Sequence, residues 1–129
     1  HKEVTPHLDR TLNRIRELGC KAGVSINPAT SISGLEFLLD KLDLILLMTV
    51  NPGFGGQVFI ESSLDKIRLV KELINDKPIK IQVDGGINKV IAPKVIDAGA
   101  NVIVAGSAIF NGDGVDSYSK NIKDLRYKI

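Results

Sequence analysis

One carboxylate in this sequence stands where a parallel α/β protein places groups that do chemistry. Asp84 follows an alternating apolar stretch, residues 79–83, and is itself followed by Gly85 and Gly86. A carboxylate at a strand end, with glycines that leave access to it, can bind a metal ion or exchange a proton with a substrate carbon. An aspartate there is equally typical of a turn or a helix N-cap, so spacing alone leaves both interpretations open.

Glycines follow three successive predicted strands. Glycine lets backbone N–H groups approach an anion without obstruction by a Cβ atom, and barrel enzymes build phosphate sites at the ends of their last two strands. One such loop is as well explained by a flexible turn, but three favour phosphate binding, and the Ser107 hydroxyl would add a donor. No Walker-type Gly-Lys-Ser/Thr is present, so nucleoside triphosphate binding has no support. The glycines are Gly53, Gly55, Gly56, Gly85, Gly86 and Gly106.

These strand ends need elements that bring them to one edge of a sheet, and the hydrophobic pattern predicts such elements. Five helices are predicted. The first begins at Thr5-Pro6 and stops at Gly19, the second begins at the Ser33/Glu36 capping box, and the third begins at Ser62 or Ser63. The fourth runs from Val90 to Ala98 and the fifth from Val115 to Leu125. The predicted strands cover residues 22–27, 44–50, 79–84 and 102–105. Alternation without a linker predicts a parallel sheet, either doubly wound or part of a (β/α)8 barrel.

Composition excludes several classes of protein. The 129 residues carry 17 basic and 15 acidic side chains, and a net charge of +2 nominates neither a nucleic acid nor a membrane as partner. No apolar run approaches the ~20 residues of a membrane span. The single Cys20 cannot form an internal disulfide, so we expect it to be a small buried residue of a cytoplasmic protein. Since the chain begins with His1 and no signal segment follows, we expect it to start within a longer protein.

Other side chains give weaker indications. Met48 lies inside a predicted strand, where a methionine is by default part of the core, although its polarizable side chain could also cover a substrate. His1 and His7 are too few to form a metal cluster by themselves. No Ser-His-Asp or Cys-His arrangement is evident.

The strand ends resemble the ribulose-phosphate 3-epimerase family. The resemblance is carried by residues 46–57, 83–86 and 104–110, and the string Met-Thr-Val-Asn-Pro-Gly-Phe-Gly-Gly within the first of these is close to diagnostic. Asp-Gly-Gly and Gly-Ser recur in other phosphate-binding barrels. The resemblance begins at the end of the family's fourth strand. It implies an α/β fold in which residues 1–129 form the carboxyl-terminal half of a (β/α)8 TIM barrel, with about four parallel strands, alternating helices and no amino-terminal strands.

The resemblance also implies an activity and a site. The family interconverts D-ribulose 5-phosphate and D-xylulose 5-phosphate, in the pentose phosphate pathway, through a metal-stabilised enediolate with two aspartates as acid and base. Asp84 would be one of these aspartates and a ligand of one divalent cation, which could be zinc, iron, manganese or cobalt. We expect the full-length protein to be a homo-oligomer. The residues implied to line the phosphorylated pentulose are Met48, Gly53, Phe54, Gly55, Gly56, Gly85, Gly86, Gly106 and Ser107.

The family places its second aspartate, two metal-binding histidines and a substrate-binding serine on three strands that this chain lacks, and His1 does not match either histidine. We therefore expect the chain alone to be inactive, and to associate through the strand edges at residues 22–27 and 102–105 and through apolar inner faces of residues 44–50 and 79–83. One alternative is a half-barrel that binds phosphate without catalysis or serves as an interaction module. Another is a phosphate-handling barrel of tryptophan, thiamine or pyrimidine synthesis, which the Asn-Pro-Gly-Phe-Gly-Gly string disfavours.

Overall fold

The structure, a computed structural model, describes residues 1–126, so the last three residues of the predicted domain lie outside the described part. The α-helices are α1 (Leu8–Glu17), α2 (Ser63–Ile74), α3 (Ile91–Ala98) and α4 (Val115–Leu125). The strands are β1 (Gly23–Ile26), β2 (Leu44–Met48), β3 (Lys80–Asp84) and β4 (Val102–Val104). Short 3-10 helices cover Lys2–Val4, Leu35–Phe37 and Leu39–Lys41. In the described part no helix has the length and apolar character that crossing a bilayer requires.

The strands form one parallel sheet in the order β1-β2-β3-β4. The predicted α/β alternation is therefore confirmed. In register at the carboxyl edge, Met48 pairs with Asp84 and Asp84 pairs with Val104. Within residues 1–126, β1 and β4 each keep one edge unpaired.

The two faces of the sheet differ in chemistry because side chains alternate along each strand. The core lies between the sheet and α1, α2 and α3 and contains alternate residues of three strands: Val24, Ile26, Ile45, Leu47, Ile81 and Val83. The opposite face, which we call the open face, carries Leu44, Leu46 and Met48 on β2. On β3 it carries Lys80, Gln82 and Asp84. The expectation of an apolar inner face over residues 79–83 is wrong, because the apolar members of that stretch point into the helix-covered core.

Two local predictions are also wrong. Between β1 and β2 two 3-10 helices replace the predicted second α-helix, since the Gly34 N–H donates to Glu36 Oε2 at 2.7 Å and the Ser33 hydroxyl pairs instead with that of Ser31. Cys20 is exposed, because α1 ends at Glu17 and the chain turns at Gly19 with φ +79° before it reaches the sheet.

The start of the first helix differs from its prediction by a few residues. α1 begins at Leu8, with His7 as its N-cap. The Thr5 hydroxyl accepts the N–H of His7 at 3.0 Å, so Thr5 stabilises the turn that leads into the helix.

Candidate active site at the carboxyl edge of the sheet

A cavity of about 460 Å³ opens at the carboxyl ends of β2, β3 and β4. It brings together every site residue predicted from the sequence: Met48, Gly53, Phe54, Gly55, Gly56, Asp84, Gly85, Gly86, Gly106 and Ser107. Three separate loops supply these residues, one after each strand. They converge because the parallel register places the strand ends side by side at one edge.

Asp84 is the acidic residue of this cavity. It is half-buried at the end of β3, and its main chain is fixed because its carbonyl oxygen accepts the N–H of Thr49 at 2.9 Å. Among the described residues, its carboxylate forms no hydrogen bond or ion pair. The carboxylate is thus available to a ligand, and the adjacent Met48 gives it an apolar neighbour across the strand pair.

Thr49 ties the site together, although the sequence pattern did not identify it as a site residue. It is fully buried, and its hydroxyl donates to the Gly85 carbonyl oxygen at 2.6 Å. Its own carbonyl oxygen accepts the N–H of Ile60 at 2.9 Å, where the glycine-rich loop returns. One residue therefore joins the end of β2 to both neighbouring loops. The signal in the sequence was a hydroxyl group within the apolar run 44–50.

Glycine is required at positions 85 and 86 because the neighbouring loop packs against them, and not only because it leaves a ligand access to the backbone. Gly85 has φ +124°, and a Cβ atom there would lie 2.4 Å from Cγ2 of Val50. Gly86 has φ +68°, and its Cβ atom would lie 2.4 Å from the backbone nitrogen of Phe59. Both positions bring the loop after β3 against the loop after β2, at a distance that excludes a side chain.

The glycine-rich loop after β2 is braced at its base. The side-chain amide of Gln57 donates to the carbonyl oxygens of Asn51 at 2.7 Å and Phe54 at 2.9 Å. Gln57, like Thr49, is a supporting residue that the sequence pattern alone did not identify. The Phe54 side chain is 76% exposed, so its ring lies at the mouth of the cavity without packing against the core.

The loop after β4 forms a tight turn. The carbonyl oxygen of Gly106 accepts the N–H groups of Ile109 at 2.9 Å and Phe110 at 3.0 Å. Within residues 1–126 the N–H groups of Ser107 and Ala108 have no hydrogen-bond acceptor. Gly106 also has open space where a Cβ atom would lie. The turn therefore presents free N–H donors beside the cavity, the arrangement that binds an anion.

The metal-binding capacity of the described residues is incomplete. Residues 1–126 hold no group of three or more histidine, cysteine, aspartate or glutamate side chains placed to bind one ion. Asp84 offers one carboxylate, whereas zinc takes four ligands and harder divalent cations take about six. His1 pairs with Glu3 at 3.3 Å, and His7 lies at the N-cap position of α1 without a side-chain capping bond. The described residues do not by themselves fit a bound divalent cation.

The sequence profile described as the ribulose-phosphate 3 epimerase family matches residues 1–110. The ribulose-phosphate 3-epimerase of Bacillus subtilis (strain 168) is 53% identical over 129 residues, which cover 98% of this chain and 58% of that protein. The Escherichia coli (strain K12) ribulose-phosphate 3-epimerase is 48% identical over all of this chain and 57% of its own length. The chloroplastic ribulose-5-phosphate-3-epimerase of Arabidopsis thaliana is 49% identical over 97% of this chain and 44% of its own length.

The chain thus spans about half the length of the curated relatives it matches. Its parallel four-stranded sheet with alternating helices agrees with a part of a TIM barrel. The match extends over all three loops of the cavity and over the strands that carry them. This chain belongs to the ribulose-phosphate 3-epimerase family.

Proposed function

We propose that residues 1–129 supply the carboxyl-terminal part of a barrel that epimerises D-ribulose 5-phosphate and D-xylulose 5-phosphate. The observation that carries this proposal is the cavity at the carboxyl edge, in which one carboxylate without a partner among the described residues faces the same space as three glycine loops. A pentulose phosphate has a ketone near one end and a phosphate at the other. The cavity offers a group for each end.

The phosphate is proposed to bind at the loops after β3 and β4. The N–H groups of Ser107 and Ala108 have no acceptor in residues 1–126, and the Ser107 hydroxyl adds a donor. Backbone N–H groups suit this task because they are fixed by the fold and carry no counter-charge of their own. The loop after β2 would then cover the rest of the sugar with Gly53, Phe54, Gly55 and Gly56.

Asp84 is proposed to exchange the proton on the carbon next to the ketone. Epimerisation at that carbon removes a proton from one face and returns one to the other, so a single carboxylate completes half of the reaction. The opposite acid or base would come from the part of the family barrel that this chain does not contain. Met48 lies beside Asp84 and would exclude water from the reacting carbons.

Asp84 is also proposed to provide one ligand of a divalent cation in the complete barrel. The lack of a ligand cluster among residues 1–126 means that the remaining ligands would have to come from elsewhere. Such a cation, when bound, neutralises negative charge that develops on the substrate oxygens.

A chimera tests this function. The amino-terminal part of the Bacillus subtilis relative is fused before this chain, and epimerisation of ribulose 5-phosphate is measured for the chimera and for its Asp84→Asn variant. The amide has nearly the same shape but cannot exchange the proton at neutral pH, so turnover should fall ~100-fold or more. Asp65→Asn is the control, since Asp65 is exposed on α2 and pairs with Arg68.

An active chimera whose Asp84→Asn variant retains more than about a tenth of its turnover would contradict the assignment of Asp84. The second candidate function is phosphate binding without catalysis. It is favoured by one observation, namely that the three glycine loops all lie in this chain while the described lining of the cavity contains a single carboxylate. A chimera that binds substrate but never turns it over would support that alternative.

A further inference from the structure

The last helix of the chain holds the turn that follows β4. The family profile ends at residue 110, so α4 lies beyond the matched residues. On α4, the side-chain amide of Asn121 donates to the Ile109 carbonyl oxygen at 2.8 Å and to Asn111 Oδ1 at 2.9 Å. The carbonyl oxygen of Asn111 lies 3.2 Å from the same nitrogen. An asparagine amide has two N–H groups, so both of them are engaged by this loop.

These contacts connect α4 to the free N–H groups of the site. Both backbone polar groups of Ile109 are bonded, because its N–H donates to the Gly106 carbonyl oxygen and its own carbonyl oxygen accepts from Asn121. Gly106 immediately precedes Ser107. Two successive hydrogen bonds therefore link Asn121, through Ile109, to the residue that precedes the proposed anion-binding N–H groups.

A second contact supports the same turn from the same side of the helix. Tyr118 lies one helical turn before Asn121, and its ring meets the ring of Phe110 edge to face, with centroids 5.3 Å apart. Farther along α4, Leu125 is buried in the hydrophobic core. Asn121 is thus carried by a helix that is itself anchored to the domain, as a rigid support requires.

We propose that Asn121 is a positioning residue for the phosphate group of the substrate. It acts through the turn at residues 106–110, which it holds in the conformation that leaves the Ser107 and Ala108 N–H groups free. A loop that must become ordered when a ligand binds loses affinity, and a loop held in advance does not. This role rests on the proposed function, since it presupposes that the turn binds phosphate.

The test uses the full 129-residue chain and inorganic phosphate, because the three glycine loops all lie within this chain. Phosphate affinity is measured by isothermal titration calorimetry for the wild type, Asn121→Leu and Asn121→Asp. Amide hydrogen exchange of residues 106–111 and the thermal unfolding midpoint are measured alongside. Asn13→Leu is the matched control, since the Asn13 amide donates to Asp9 within α1.

Both Asn121 variants should bind phosphate about fivefold more weakly or worse, and exchange in residues 106–111 should be faster, while α4 stays folded. Asn13→Leu should bind phosphate like the wild type. Equal phosphate affinity in the wild type and both Asn121 variants would show that Asn121 only stabilises α4, and would overturn its positioning role. A wild-type chain that binds no phosphate would instead overturn the proposed phosphate site, and the role of Asn121 with it.

Discussion

The hydroxyl of Thr49 donates a 2.6 Å hydrogen bond to the carbonyl oxygen of Gly85, across the boundary between two neighbouring strands. Because the Thr49 N–H also donates to the Asp84 carbonyl oxygen, the residue fixes the two successive peptide groups that follow the site carboxylate. Thr49 is fully buried, so water does not reach its two donor groups. The position of Asp84 therefore depends on the strand next to its own.

Thr49→Val should destabilise the fold. Valine has nearly the same shape but leaves the half-buried carbonyl oxygen of Gly85 without its donor, which costs about 1–3 kcal/mol of unfolding free energy. Urea denaturation measures this loss. Thr11→Val is the matched control, because the Thr11 hydroxyl bonds to His7 at an exposed position of α1 and its loss should change stability by less than about 0.5 kcal/mol. Equal effects at the two positions would contradict the importance of burial.

Gly106→Ala should weaken phosphate binding without harming the fold. A Cβ atom at Gly106 would project into open space, so the methyl group would meet only an approaching ligand. Gly86→Ala should instead lower the unfolding midpoint, because its Cβ atom would lie 2.4 Å from the backbone of Phe59. Calorimetric titration with inorganic phosphate and thermal unfolding separate the two effects. A destabilised Gly106→Ala variant with unchanged phosphate affinity would contradict the anion-binding role of that position.

Glu3 should make stability depend on acid pH. Partial burial raises the pKa of the Glu3 carboxyl, but hydrogen bonds from the Thr30 side chain and the Asn27 N–H outweigh this and leave the pKa below its usual value. The stabilisation is complete above the ordinary carboxyl range and is lost as pH falls through the lowered pKa. The difference in melting temperature between the wild type and Glu3→Gln should therefore shrink from pH 7 toward pH 3. Thr30→Val should lower the melting temperature at pH 7 by part of the amount that Glu3→Gln does.

The 129-residue chain, purified alone, should self-associate and show no epimerase activity. Within the described residues β1 and β4 have unpaired edges, and the side chains of Val104 and Phe110 are 37% and 68% exposed. Unpaired strand edges recruit other chains. Sedimentation velocity at increasing protein concentration measures the association, and Val104→Lys should reduce it by placing a charge on the edge. A monodisperse monomer that epimerises ribulose 5-phosphate with added metal would contradict both expectations.

Much of the fold could be predicted because the sequence is locally consistent. The run at residues 44–50 is apolar at nearly every position, as a strand buried on both faces requires, and it became β2 with its two neighbours in parallel. The strand ends then fixed which residues could meet, so Asp84 and the glycine loops were brought into one cavity as predicted. Their roles there stay predictions.

The rest could not be predicted because it depends on contacts between distant segments. The Ser33/Glu36 spacing fits a capping box, but a nearer donor, the Gly34 N–H, takes the glutamate, and two 3-10 helices form. On β3 the alternation of apolar and polar side chains predicts a strand, but it does not show that the apolar side chains, Ile81 and Val83, face the helices. Thr49 was overlooked because its hydrogen-bond partner, Gly85, is 36 positions away in the sequence.

The two glycines after Asp84 also decide where this scaffold can change. Since a side chain at either position would collide with the neighbouring loop, an enzyme engineer cannot reshape the site from there without moving Val50 or Phe59. Gly55 meets no neighbour within 4 Å and its φ is not positive, and Phe54 beside it is exposed. Libraries that aim to redesign the proposed sugar site should therefore randomise residues 54 and 55 and leave the Asp-Gly-Gly segment intact, because the loop after β2 has room to adapt and the loop after β3 has none.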